Sequence, residues 1–361
     1  MENDEGLVPL RRSRSALADA IASRVAPAAP ELSVLENGVL RCLACAHRCA
    51  FDGDRVGACG VREARSGSMV APFGYIARRY VRNVETNTVY HVEPGAKSLT
   101  FGMYGCDLRC PYCHNWKLSQ ALREGIDGAP IDLAPSAIVD EAIAEGCHVV
   151  CAAYNEPMIA AEWVHAVFSE AKQRGLRTMV VSDGNTTRAA LSYLRPVTDV
   201  YRVDLKGFDN EQYKTLGGRL DPVLAAIADA RELGYWVEVV TLVVPGFNDS
   251  DAGLRGLAKK LLAIDPDLPW HLNAFQPRYK MKAKPAMSPE LLISIAGAAY
   301  ARGLRYVYVG NVTSTFGELE HTRCPSCHTT VIERKNYATI TNRLSQDGTC
   351  PSCATKIAGL F

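Results

Sequence analysis

The sequence predicts an α/β protein, an open partial (β/α)6 barrel with an N-terminal Cys-rich segment and a C-terminal zinc-ribbon-like or rubredoxin-like module. Two observations carry this expectation. From about Lys97 to Val309, short β-branched runs alternate with amphipathic segments of helical length, the pattern of a parallel sheet with crossover helices. On either side of that region, cysteines fall in tight groups at metal-ligand spacing. The expected boundaries are a flexible lead-in over 1–35, a four-cysteine metal-binding segment over 36–95, the barrel over 96–315 and the ribbon-like module over 316–361.

Lys97–Phe101 reads as the first strand, leading directly into a cysteine loop. Ser136–Glu145 then places Ile138, Ala142 and Ile143 on one helical face. Strand Val149–Tyr154, helix Ile159–Arg174, strand Arg177–Ser182, helix Arg188–Leu194 and strand Val200–Leu205 follow. Helix Leu220–Leu233, strand Trp236–Val244, helix Ser250–Leu262 and strand His271–Phe275 continue the alternation. Helix Glu290–Arg302 and strand Arg305–Val309 close it. In a partial barrel the loops at the strand C-termini carry the chemistry. The polar loops at Cys106–Cys113, Tyr154–Pro157, Ser182–Asn185 and Asp204–Gly207 all fall there.

At 361 residues the chain has room for one large catalytic domain with small appendages. Lys+Arg 40 against Asp+Glu 39 gives a net charge of +1, so charge offers no argument for a nucleic-acid or membrane partner. No run reaches the roughly 18–20 apolar residues of a membrane span. The first thirty residues lack the apolar centre of a secretion signal, and Glu2, Asp4, Glu5 and Asp19 argue against a transit peptide. A short helix is expected over Ser13–Val25. Eleven of the 13 cysteines are clustered, which points to a reducing, cytoplasmic setting. Cys147 and Cys151 lie in an apolar strand and read as core.

Cys106-x3-Cys110-x2-Cys113 is the most telling group. Three thiolates can hold three irons of a [4Fe–4S] cube and leave the fourth iron open to a substrate or cofactor. A structural zinc site wants four closed ligands, and His114 is poorly placed to turn back as the fourth. Cys324-x2-Cys327 and Cys350-x2-Cys353, separated by 22 residues, read as two knuckles forming one tetrahedral site. Zinc is expected there over iron. Cys42, Cys45, Cys49 and Cys59 form a third set, able to hold zinc or an auxiliary electron-relaying cluster.

The Cys-x3-Cys-x-aromatic-Cys loop after the first barrel strand resembles the radical S-adenosylmethionine (radical SAM) superfamily. Tyr112-Cys113-His114-Asn115 resembles the activating enzymes of glycyl-radical proteins such as pyruvate formate-lyase. From Leu40 onward the chain is similar to the radical SAM member of the AmmeMemoRadiSam system. That likeness rests on Gly57–Glu63, Val203–Phe208, Glu238–Ser250, Pro269–His271 and Tyr306–Asn311.

The resemblance implies a radical SAM barrel with a [4Fe–4S] cluster and SAM. One electron from reduced flavodoxin or ferredoxin would yield methionine and a 5′-deoxyadenosyl radical that abstracts hydrogen from substrate. AMMECR-type and Memo-type proteins are the implied partners. By position, Tyr112 would pack on the adenine and Glu156, beside Asn155, would accept from the SAM ammonium. A helix N-terminal carboxylate ahead of Pro157 is the other reading of Glu156. Ser182 and Asp183 would reach the methionine end, with Asp204 and Lys206 near the ribose and active centre. A buried salt bridge is the plainer account of that last pair. His271, with Asn273 on the same strand face, could line the substrate pocket or be a satisfied core histidine.

The ferredoxin-like insert of glycyl-radical activators follows their cluster motif, whereas Cys42–Cys59 precedes it here, so a structural metal is expected at that set. The chain departs from its relatives at Glu85–His91, His114, Asn155 and Asp183, close to the expected centre, which points to a different substrate and a specialised biosynthetic role. Three functions follow: a radical SAM oxidoreductase acting on a small molecule or peptide, a glycyl-radical activase, and a metal-stapled binding or scaffold protein.

Overall fold

The computed structural model describes residues 15–312 and 318–361. Its centre is an eight-stranded sheet built from β1 (Arg78–Asn83), β2 (Lys97–Gly102), β3 (Cys147–Ala152), β4 (Arg177–Ser182), β5 (Val200–Asp204), β6 (Trp236–Val243), β7 (Trp270–Ala274) and β8 (Val307–Gly310). The strands lie in sequence order across the sheet. β2 to β8 are parallel, and β1 adds to the free edge of β2 in antiparallel register. Among the described residues no ladder joins β1 to β8, so the barrel is open. Six βα units followed by a closing strand are the (β/α)6 architecture expected.

Helices Pro135–Ala144, Ala161–Gln173, Arg188–Leu194, Leu220–Glu232, Asp251–Ile264 and Pro289–Ala301 supply the six crossovers. Two of them start where a side chain satisfies a free N–H group of the first turn. Thr187 accepts from Ala190 N and Ser250 from Gly253 N. The helix expected from Ile159 is preceded by a 3₁₀ turn, Pro157–Ala160, whose entry is capped by Glu156. Val164, Phe168, Leu254 and Leu257 are among the helix residues that pack on the convex face of the sheet, together with Cys147 from β3.

On the concave face, Val149, Cys151, Met179, Val200 and Trp236 are covered by Val84, Val89 and Val92, and by Leu360 from the C-terminal tail. Leu360 bridges to Val92 and donates its N–H to the His91 carbonyl at 2.8 Å. Beneath the barrel, the Glu238 carboxylate accepts from four buried donors: Tyr90 N (3.0 Å), His91 N (2.9 Å), Trp236 Nε1 (3.0 Å) and His271 Nε2 (2.7 Å). Burial opposes its charge, but His271 and the other donors prevail and hold the carboxyl down at about 2.

The lead-in is more ordered than expected from residue 15 onward. Ser15 caps helix Ala16–Ala22, Leu17 and Ile21 enter the main core, and strand Val25–Pro27 pairs with Ser68–Pro72. The helix is shorter than the expected Ser13–Val25 because the chain turns directly into that strand. Residues 1–14 of the lead-in expected over 1–35 lie outside the described residues. At the other end, strands Thr330–Lys335 and Ala338–Asn342 form a hairpin whose two turn residues, Asn336 and Tyr337, have φ of 52° and 61°. Both angles positive is the pattern of the tight hairpin turn whose twist suits the flanking strands, and glycine is preferred at its second position. A tyrosine held there is strained. Among the described residues no helix is long and apolar enough to cross a membrane.

Candidate active site

β2 ends at Gly102, and the chain turns through Gly105 into Cys106. Gly105 has φ +95°, and a Cβ there would lie 2.8 Å from Val61 Cγ1 and 3.0 Å from the Cys59 carbonyl, so only glycine fits. Cys106, Cys110 and Cys113 line a cavity of about 560 Å³ at the C-terminal rim of the sheet. Burial pushes their thiols up, Cys110 to about 12. Their three sulfurs are not drawn together around a point. Among the described residues, the groups of three or more ligating atoms within 4.8 Å of one another are the C-terminal cysteines and Cys106 with Asp107 and Asp183. A four-iron cube is wider than one ion, so thiolates serving separate irons stand further apart than thiolates on one zinc. The donor set fits a cluster.

Asp183 Oδ2 lies 3.8 Å and Asp107 Oδ1 3.9 Å from Cys106 Sγ. Burial raises both carboxyls; the Glu156 charge adds to it at Asp107, which goes to about 6, and the Asp107 charge adds to it at Asp183, which goes well above its usual range. A protonated Asp183 is a hydrogen-bond donor beside the sulfur, and such bonds tune cluster potentials.

Asp204 and Lys206 emerge at the end of β5 into the same cavity, with Lys206 Nζ 2.9 Å from Asp204 Oδ2. Arg202, two residues back on the same strand face, places Nη1 2.5 Å from Asp204 Oδ1. Burial opposes ionisation of Asp204, but Arg202 and Lys206 outweigh it and hold the carboxyl below the usual range. Tyr112 lines the cavity, with its ring 5.7 Å from that of Phe247. Asn155, Ser182 and Asp183 line it too, and Asn155 Oδ1 accepts from Met103 N at 3.0 Å.

Two expected site residues lie elsewhere. Glu156 is 1% exposed, and its carboxylate is taken up by Met158 N (2.9 Å) and Ser182 Oγ (3.0 Å) on Oε1 and Asp183 N (2.7 Å) on Oε2. It is the capping carboxylate of the alternative reading, joining the loops after β3 and β4. Burial, then Asp183, raises its carboxyl well above the usual range. Glu156→Ala is therefore expected to cost about 2–4 kcal/mol of stability in urea unfolding, from donors left unpaired. Unchanged stability with a tenfold loss of SAM affinity would restore the cofactor role. His271 is fully buried beneath the cavity, bonded to Glu238 and stacked 4.9 Å from Tyr308. Asn273, on the same face one layer nearer the rim, does line the cavity.

Sequence reasoning missed Arg202 and Tyr337. The alternation Arg202-x-Asp204-x-Lys206 was a usable signal for the first. Tyr337 reaches the cavity from the C-terminal hairpin, where its hydroxyl donates to Asn311 Oδ1 at 2.6 Å and accepts from Asn311 N at 3.0 Å. The four ribbon cysteines converge, with Cys324 Sγ 3.5 Å from Cys353 Sγ and Cys327 Sγ 3.7 Å from Cys350 Sγ.

Residues 101–255 match the Radical SAM superfamily model. An uncharacterised protein of Methanocaldococcus jannaschii is 30% identical over 90% of this chain and 96% of its own. The pyruvate formate-lyase-activating enzyme of Staphylococcus aureus is 29% identical over 48% of this chain and 71% of its own. The chain belongs to the radical SAM superfamily. Among solved structures, a radical SAM methyltransferase from Sphaerobacter thermophilus aligns with a TM-score of 0.46 and 16% identity, over 80% of this chain and 77% of that one. Streptococcus suis SuiB aligns with a TM-score of 0.46 and 12% identity over 63% of this chain, which spans about half (52%) of SuiB.

Proposed function

We propose that this chain reductively cleaves S-adenosylmethionine and uses the 5′-deoxyadenosyl radical to abstract hydrogen from a small-molecule or peptide substrate. The observation that carries this is one cavity lined by Cys106, Cys110 and Cys113 together with Arg202, Asn273 and Tyr337. When bound, the cluster and SAM supply the one-electron chemistry. The chain's own residues do the rest. The buried thiols give up their protons to metal. Lys206 stays charged, since Asp204 outweighs the burial that opposes it, and offers a cation to a carboxylate of SAM or substrate. Tyr112 presents a ring for the adenine, with Asn155, Ser182 and Asp183 as polar contacts around the methionine end.

On this reading the C-terminal cysteines hold one zinc ion, their sulfurs being close enough for a single tetrahedral centre. Reduced flavodoxin or ferredoxin is the donor, and AMMECR-type and Memo-type proteins are partners by resemblance. We retain 36–95, 96–315 and 316–361 as the working division of the chain.

The test is anaerobic reconstitution with iron and sulfide, reduction by dithionite and assay for 5′-deoxyadenosine and methionine. Absence of both products from a cluster-loaded sample would sink the reading. The second reading, an activase, is favoured by the similarity to pyruvate formate-lyase-activating enzyme. A glycyl-radical EPR signal on a partner protein would select it. Deuterium passing from a labelled small molecule into 5′-deoxyadenosine would select the first.

A further inference from the structure

We infer that Cys42, Cys45, Cys49 and Cys59 hold a second iron–sulfur cluster, which hands electrons to the one at Cys106, Cys110 and Cys113. This replaces the structural metal expected from sequence, and it rests on the proposed function only for the identity of the recipient.

Spacing is the first argument, and the molecule supplies its own standards. The ribbon sulfurs all fall within 4.8 Å of one another, as a single ion requires, while Cys106, Cys110 and Cys113 do not. The N-terminal set behaves like the latter. No three of its sulfurs meet that limit, although Cys45 feels the charges of the other three. Two of the sulfurs also accept backbone N–H groups, Cys49 Sγ from Ala58 N and Cys59 Sγ from Arg62 N, both at 3.4 Å. Hydrogen bonds to sulfur are among the levers that set cluster potentials.

Position is the second argument. The carbonyl of Cys59 packs against Gly105, the residue before Cys106, so closely that no side chain fits between them. Arg123 Nη2 lies 2.7 Å from both the Ala58 and the Cys106 carbonyls, clamping the two loops together. His47 Nε2 sits 3.2 Å from the Asp107 carbonyl, and Ala46 N donates to the Asn185 carbonyl at 3.0 Å. A metal serving only to staple the N-terminal segment has no need to lie against the Cys106 loop. An electron relay does. Cys49 is the partly exposed member of the set, the other three being buried.

The electron balance is simple. One electron from a reduced flavodoxin- or ferredoxin-class donor enters at the N-terminal site and passes to the cluster beside SAM. Added to the two electrons of the C5′–S bond, it leaves a lone pair on methionine sulfur and one unpaired electron on C5′.

The wild-type chain, reconstituted anaerobically, is analysed for iron, acid-labile sulfide and zinc. We expect about eight iron, about eight sulfide and about one zinc per chain. About four iron with two zinc would overturn the inference. The double variant Cys45→Ser/Cys49→Ser should lose about half the iron and one of two reduced-cluster EPR signals. If it folds and cleaves SAM as fast as wild type with reduced flavodoxin, the relay is wrong. Failure of that variant to fold leaves the wild-type metal count to decide. Eight irons without SAM cleavage would sink the proposed function and leave the second cluster standing.

Discussion

Cys106→Ala is expected to reduce SAM cleavage to the level of a protein-free control. The loop after β2 has three thiols for three irons, and removing one leaves a cluster with two protein ligands. Cys106 is also the thiol flanked by Asp107 and Asp183. The checks are 5′-deoxyadenosine formation and the cluster's visible absorbance after reconstitution. Retained reductive cleavage would refute the assignment of this loop.

Glu238→Gln is expected to be the most destabilising single change outside the metal sites. Four donors converge on one buried carboxylate, and breaking such a centre costs about 3–5 kcal/mol, a fall in melting temperature on the order of 10 °C. The pH dependence has a definite sign. A carboxyl held at about 2 in the folded chain contributes its full stability above the unfolded value near 4.5, and that contribution is lost as pH falls toward about 2. The difference in urea midpoint between wild type and Glu238→Gln should be constant from neutral pH to about 5 and shrink below 4.5. A difference that widens on acidification would mean that Glu238 is not the charged acceptor.

The barrel was legible because parallel strands buried on both faces write themselves as near-continuous apolar runs. Val149–Ala153 is apolar throughout, and Val237–Val244 is broken only by Glu238 and Thr241. β1 was not, because Arg78-Arg79-Tyr80-Val81-Arg82-Asn83 sits on an edge and carries the charge that edges tolerate. Within the site, the period of two told which face a residue occupies but not how deep it lies. Asn273 and His271 share a face of β7, yet one lines the cavity and the other is sealed beneath it. Glu156 is a related case. Its place in a motif was readable, but three protein donors already holding its carboxylate were not. Tyr337 stands between two zinc-type knuckles, and only tertiary docking brings it to the barrel.

That tyrosine's turn gives the molecule a division of labour along its length. The three-cysteine loop and Tyr337 line one cavity from distant parts of the chain, and the tyrosine is held in a left-handed turn between the two C-terminal cysteine pairs. Exchanging residues at that hairpin tip would therefore redraw what the chamber accepts without disturbing Cys106, Cys110 and Cys113. On the proposed reading, in which the C-terminal cysteines hold one ion, stripping that ion would loosen the hairpin's side of the chamber while leaving those three thiols in place.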